Sequence, residues 1–282
     1  MAVTADPCWV DGERSSQLPL PDRGLAFGDG VFETLLLVNG AAMLLAYHEE
    51  RLQSGLERLG IAATRPLLAA TVEQAAGESP AGYAALRVTV TRGTGPRGYA
   101  PPPAPSARVI VQLSPLQHDP YAWREPLAID YSSVRLGRQP QLAGIKHLNR
   151  LEQVLAAAEC AREGWGEALM LDESGRVVSA VAGNLFLVRG GDLLTPALDG
   201  CGVAGTRRRA VIERWAPALG LAVEECAIDG EVVQQADEVF ICNSLQGLRA
   251  VGVCRKRRWS DFPVTRALLD VARQEMDGMV QA

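Results

Sequence analysis

The run Leu142-Ala143-Gly144-Ile145-Lys146-His147-Leu148-Asn149-Arg150-Leu151-Glu152-Gln153 carries one of only two lysines in a chain with 28 lysines and arginines. Arginine stays protonated at any working pH, whereas a lysine amine can lose its proton and attack a carbonyl. A lysine kept where arginine serves nearly everywhere else suggests that second kind of chemistry. The other lysine, Lys256, lies in Arg255-Lys256-Arg257-Arg258 and reads as a solvated charge. Lys146 follows four uncharged residues, and an apolar setting favours the neutral amine. On composition alone the competing reading is a helix-start lysine that points to water.

C-terminal to this run, Leu148, Leu151, Val154, Leu155 and Ala158 recur at helical spacing, and Gly164 predicts the stop. Strand patterns follow at 167–171, 176–179, 184–188 and 192–195, then a helix over 206–219, strands at 237–242 and 248–254, and a closing helix over 264–276. N-terminal to it, strands are expected near 126–135, 108–113, 83–92, 31–38 and 7–13. Helices are expected over 46–60, with Leu52, Leu56 and Leu59 on one face, and over 66–76. Residues 93–105 form a loop rich in Gly and Pro. The pattern divides the chain into an N-terminal α+β domain (1–114), a linker (115–125) and a C-terminal α/β domain (126–282) that carries Lys146.

The 282 residues, 48% of them hydrophobic, suffice for one large core or two smaller ones. No apolar stretch of about 18 residues predicts a membrane span, and residues 1–6 lack the basic start of a signal peptide. The net charge of −5, with basic residues scattered apart from two short runs, argues against nucleic-acid binding. Six cysteines without a C-x-x-C pair, and three dispersed histidines, offer no metal site; reduced thiols in a cytoplasmic protein are the expectation.

Gly202-Val203-Ala204-Gly205-Thr206-Arg207 leads glycines into a helical pattern, an arrangement that can cradle a phosphate with backbone amides. Glycine-rich helix starts are also common without any ligand. Asn243 and Ser244 follow a strand and offer further donors, or an ordinary turn. Arg51 begins a helical face and could reach a phosphate or simply face solvent. Arg97, in the glycine loop, could grip a carboxylate bidentately or remain a mobile surface residue. Asp22-Arg23-Gly24 and Gly28-Asp29-Gly30 look first like turns.

Taken in order, these segments resemble the fold-type IV pyridoxal phosphate enzymes, which include D-amino-acid and branched-chain aminotransferases and aminodeoxychorismate lyases. The similar segments are Asp22-Arg23-Gly24, Phe27 to Thr34, His48 with Arg51-Leu52, Thr91-Arg92-Gly93 with Arg97-Gly98-Tyr99, Asn184-Leu185-Phe186, Gly202 to Arg208, and Glu238 to Asn243. Val134 to Arg138 followed by Leu142 to Gln153 is most similar to the lyases.

The resemblance implies an α+β fold of two domains with the cofactor between them, usually as a homodimer. Its substrate would be a small molecule, with no membrane or nucleic-acid partner. It implies that Lys146 carries the Schiff base with pyridoxal 5'-phosphate. Arg51, the amides of Thr206 and Arg207, and the loop of Asn243 and Ser244 would hold the cofactor phosphate. Arg97 and Tyr99 would meet the substrate carboxylate, and Thr34 would border the substrate. The implied reaction converts 4-amino-4-deoxychorismate to p-aminobenzoate and pyruvate; the alternative is an aminotransferase for a D- or branched-chain amino acid. One position departs from the pattern. Five residues before Asn184, where relatives place a glutamate against the cofactor's pyridine nitrogen, this chain has Ser179.

Overall fold

The computed structural model describes residues 6–62 and 65–281. They form two compact units. The first comprises Met1–Asp119, Ile145–Asn149 and Met279–Ala282; the second comprises Pro120–Gly144 and Arg150–Gly278. This division differs from the expected domains: Ile145–Asn149, with Lys146, and Met279–Ala282 group with the first unit, and the boundary at Asp119 falls inside the expected linker. For Ile145–Asn149 the reason is a set of non-local backbone hydrogen bonds. Phe32 N donates to Lys146 O (2.9 Å) and Leu148 N to Gly30 O (3.0 Å), so the segment lies along one strand of that unit.

The first unit is built on a six-stranded antiparallel sheet ordered Glu13–Arg14, Cys8–Val10, Arg108–Pro115, Tyr83–Thr91, Gly30–Val38, Ala41–Ala42. The period-2 alternation sets its two faces. Val31, Leu35 and Leu37 join Leu86, Val88, Val90, Val109, Val111 and Leu113 in one core with Leu52 and Leu56 of the helix Leu45–Leu59. Glycine at position 55 lets that helix approach closely: a Cβ there would sit 2.9 Å from Val31 Cγ1. The helix ends at Gly60, in the left-handed conformation (φ 64°) that glycine adopts without steric cost.

The second unit holds a nine-stranded mixed sheet. Its main path runs Val223–Cys226, Asp192–Pro196, Asn184–Arg189, Glu238–Asn243, Gly247–Cys254, Leu127–Leu136, Glu167–Asp172, Val177–Ala180, and Arg257–Arg258 pairs with Gly247–Cys254. Leu127–Leu136 pairs in parallel with both of its neighbours. A core of Leu169, Leu185, Leu187, Val239, Ile241 and Val251 among others lies against it.

The helix expected after Lys146 spans Leu151–Glu163 and stops at Gly164. An apolar stripe at helical spacing commonly faces a core. Instead Leu151, Val154 and Leu155 are 77%, 58% and 60% exposed, while Ala156 and Cys160 are buried. The helix expected over 206–219 is interrupted by a π-helical turn, Val211–Trp215. Pro217 lies two residues beyond it, and its ring cannot sit against the carbonyl four residues back, that of Glu213 within the turn, in a regular α-helix. Among the described residues the cysteines form no disulfide, and no helix is long and apolar enough to cross a membrane.

Candidate active site

In the first unit the side chains around Lys146 are placed by the strand Gly30–Val38 and the helix Leu45–Leu59. Lys146 Nζ lies 4.4 Å from the centroid of the Phe32 ring, a contact between an ammonium and an aromatic face. Glu33 points from the next strand position into the core side of the sheet and is 1% exposed. A carboxylate there must be paired. Arg51 donates from Nε to Oε1 (2.7 Å) and from Nη2 to Oε2 (2.5 Å), and His48 Nδ1 lies 2.6 Å from Oε2. Burial alone would raise the Glu33 carboxyl, but the charge and hydrogen bonds of Arg51, aided by His48, hold it at about 2. Burial lowers the pKa of His48. Glu33 opposes that shift, and the positive charges of Arg51 and Lys146 add to it. His48 is therefore the neutral tautomer that donates Nδ1–H to Glu33 at neutral pH.

Arg97 and Tyr99 lie on the exposed loop of the same unit, Tyr99 at 87% exposure. The loop is nonetheless held. Buried Arg23 donates from Nη1 to Gly98 O (3.0 Å) and Ala100 O (3.3 Å), and from Nη2 to Tyr99 O (2.8 Å). Arg23 Nε is fixed by Asp29 (2.8 Å), which also accepts from Arg92. Arg92 in turn donates to Leu59 O and Gly60 O at the end of the helix Leu45–Leu59, where a cation complements the dipole. The two segments that looked like turns thus anchor the loop that carries Arg97. Thr34 is partly buried and sits opposite Arg87 across the strand pair.

In the second unit, Gly202–Gly205 is pinned to Gly144, two residues before Lys146: Gly144 N donates to Gly202 O (3.0 Å) and Ala204 N to Gly144 O (3.0 Å). Asn184 Nδ2 donates to Val203 O (2.8 Å). Position 205 admits only glycine, since a Cβ would fall 2.1 Å from Asn184 Oδ1. Thr206 opens the helix, buried, with its hydroxyl 3.4 Å from that of Ser244. Arg207 is 2% exposed, lies against the rings of Tyr121 and Trp215, and donates from Nη2 to Ser244 O (3.1 Å). Its Nε and Nη1 make no hydrogen bond.

The Asn243 side chain is committed locally: Oδ1 accepts from Leu245 N (3.1 Å) and Gln246 N (2.7 Å), and Nδ2 donates to Ala182 O (3.0 Å). It shapes the Ser244 turn. Ser179 is 9% exposed on the strand Val177–Ala180. The nearby carboxylates are turned elsewhere: Glu167 accepts from Val181 N and Ala182 N, and Asp172 from Ser174 N and Arg176 N.

Lys146, Arg51, Thr34 and the Arg97 loop thus fall in the first unit, and Thr206, Arg207, Asn243, Ser244 and Ser179 in the second. Sequence reasoning quoted Glu33 and His48 within a motif but gave them no role. Their signal was present: alternation puts Glu33 on the same face as Val31 and Leu35, and a charge at a core position needs a partner.

The sequence model of the family described as "Amino-transferase class IV" matches residues 30–254. The chain is 34% identical over 260 residues to an aminodeoxychorismate lyase of Vibrio harveyi, covering 91% of this chain and 94% of that protein. Among solved structures it is similar to a 4-amino-4-deoxychorismate lyase from Pseudomonas aeruginosa (TM-score 0.89, 40% identity, 96% of this chain and 99% of that one). It is also similar to a branched-chain aminotransferase from Thermoproteus uzoniensis (TM-score 0.85, 25% identity, 98% and 96%).

Proposed function

Because the chain belongs to the class IV aminotransferase family, we propose that it is a pyridoxal 5'-phosphate-dependent lyase converting 4-amino-4-deoxychorismate to p-aminobenzoate and pyruvate. The observation that carries lyase over aminotransferase is the near full-length likeness to lyases, at higher identity than to the aminotransferase. The residues present suit the cofactor. A lysine stands in a defined strand-like segment. Two hydroxyls and the amides at a helix start suit a phosphate, and the buried cation Arg207 has two nitrogens without a hydrogen bond.

When bound, pyridoxal phosphate supplies an aldehyde that bonds amines and a conjugated ring that accepts an electron pair. The protein supplies the rest. Lys146 Nζ would hold the aldehyde and, when not bonded to it, would take the proton from the substrate carbon that bears the amine. The enolpyruvyl C–O bond breaks in the same elimination, and a proton returned to the departing fragment gives pyruvate. The six-membered ring becomes aromatic. Arg51, Thr206, Arg207 and Ser244 would hold the phosphate, Arg97 and Tyr99 would meet substrate, and Thr34 would border it. The working form is a homodimer in the cytoplasm. Purified holoenzyme mixed with 4-amino-4-deoxychorismate is expected to release one pyruvate per p-aminobenzoate, read by coupled lactate dehydrogenase; absence of pyruvate would refute the reading.

Ser179 stands where a carboxylate would favour a protonated pyridine, a contact worth up to about 4 kcal/mol at an effective dielectric near 20 before desolvation. Aromatisation already drives this elimination. Ser179→Glu is therefore expected to raise pyruvate release by no more than about tenfold. A larger gain would mean that the native chain works with an impaired site.

A further inference from the structure

Residues 120–125 belong to the stretch that reads as a linker, with no period to place it, yet in the second unit they are clasped along their length. Arg273, on the helix Pro263–Gln281, donates from Nη2 to Tyr121 O (2.5 Å). Arg266, seven residues earlier on the same helix face, sets its guanidinium carbon 3.6 Å from the centroid of the Trp123 ring. Arg249 Nη2 donates to Glu125 O (3.0 Å). Arg124 reaches the other way: Nη1 donates to Gln246 Oε1 (2.8 Å), and Nη2 to Gln246 O. Gly247 follows at φ 72°, where a Cβ would run into Pro120 O. The turn so gripped joins the strands Glu238–Asn243 and Gly247–Cys254 and carries Ser244. Its carbonyls on either side of Leu245 are both taken by arginines, Ser244 O by Arg207 (3.1 Å) and Gln246 O by Arg124. Arg207 also rests against the Tyr121 ring, 5.1 Å from its centroid. One short segment therefore fixes the turn twice, directly through Arg124 and indirectly through Tyr121.

We propose that Arg124 is a positioning residue for the cofactor phosphate. It holds Gln246, Gln246 holds the turn, and the turn presents the Ser244 hydroxyl beside that of Thr206, 3.4 Å away. The proposal rests on the reading that Thr206 and Ser244 hold the phosphate, and not on which reaction follows. Two hydroxyls serve one anion only when both stand at bonding distance from it, and a displacement of about 1 Å loses much of that. A planar guanidinium gives two bonds in a fixed fork to a single residue, which an ammonium on a flexible stem does not match. The base it works from is itself fixed, because Arg249, Arg266 and Arg273 hold the segment at Glu125, Trp123 and Tyr121.

The test strips the full-length protein of cofactor and titrates it with two probes that differ by the phosphate alone, pyridoxal 5'-phosphate and pyridoxal, with affinity read from quenching of tryptophan fluorescence. Arg124→Met keeps the aliphatic stem and is expected to weaken pyridoxal 5'-phosphate by roughly 10- to 100-fold, the loss of a charge-assisted pair of hydrogen bonds, while pyridoxal stays within about twofold of wild type. Arg124→Lys should fall between. Gln246→Ala removes the side-chain acceptor and leaves the carbonyl, so it should cost roughly threefold, again on the phosphate-bearing probe alone. Adding it to Arg124→Met should cost little more, since the two residues act as one unit. A folded Arg124→Met protein that binds pyridoxal 5'-phosphate within twofold of wild type, or that loses both probes by the same factor, overturns the proposal. If the methionine variant does not fold, a Gln246→Ala protein that loses both probes equally, or neither, does the same. A wild type that binds the two probes equally overturns the phosphate reading itself, a result distinct from a wild type that prefers the phosphate-bearing probe and an Arg124→Met protein that keeps that preference.

Discussion

Lys146→Ala is expected to lower pyruvate release from 4-amino-4-deoxychorismate by at least about 10³-fold, whereas Lys256→Ala stays within twofold of wild type. Nζ of Lys146 is asked to do two jobs, covalent anchoring and proton transfer. A positioned proton carrier alone accounts for about 10²–10⁴ in rate, and losing the anchor adds to that. The backbone at position 146 should survive the change, because what fixes it is Phe32 N donating to its carbonyl, which alanine preserves. An unaltered melting temperature would therefore separate a chemical defect from a folding one. Borohydride reduction and peptide mapping supply an independent readout: the cofactor's mass should appear on the peptide containing Lys146 in wild type and nowhere in the variant. A variant that still made pyruvate at near wild-type rate would remove Lys146 from the chemistry.

Lys146 stands out in the sequence because composition isolates it: a protein that uses arginine for nearly all its positive charge leaves few reasons to keep a lysine. The strands were legible for a different reason, since Tyr83–Thr91 and Gly30–Val38 bury one face continuously and alternation survives in the letters. Three features were not. The stripe of Leu151, Val154 and Leu155 has the period of a core face and faces outward, because periodicity gives a helix its stripe without saying what covers it. The allegiance of Ile145–Asn149 to the first unit comes from pairing with residues more than a hundred positions away, and local pattern carries no trace of that. Asn243 reads as a donor from its type alone, and the letters do not show that its Oδ1 also closes its own turn by accepting from Leu245 N and Gln246 N. The roles of Glu33 and His48 lay between these cases, readable from strand parity but meaningful only once the helix Leu45–Leu59 brings His48 and Arg51 within bonding distance.

The second large effect belongs to that buried group. Glu33→Gln is expected to destabilise the protein by about 3 kcal/mol at neutral pH and to flatten its acid denaturation. Glu33 is held at about 2, below its ordinary 4.5. A carboxyl lowered on folding contributes stability that is fully present above the unfolded value and lost as pH falls through the folded one, here between 4.5 and about 2, and a shift of that size is worth about 3 kcal/mol. His48 acts in the same direction at higher pH. Its pKa is depressed by burial, so the unfolded chain binds a proton that the folded chain resists, and stability begins to fall as pH drops through the usual histidine value of 6.5. Wild type should thus lose stability in two stages on acidification, first near pH 6 and then below 4.5. Glutamine keeps the shape of Glu33 but leaves the Arg51 guanidinium without its counter-charge at 11% side-chain exposure, and an uncompensated buried charge typically costs several kcal/mol. The variant should melt lower at pH 7 and lack the second stage. Equal melting temperatures for both proteins at pH 7 and at pH 3 would show that the Glu33–Arg51 pair holds nothing together.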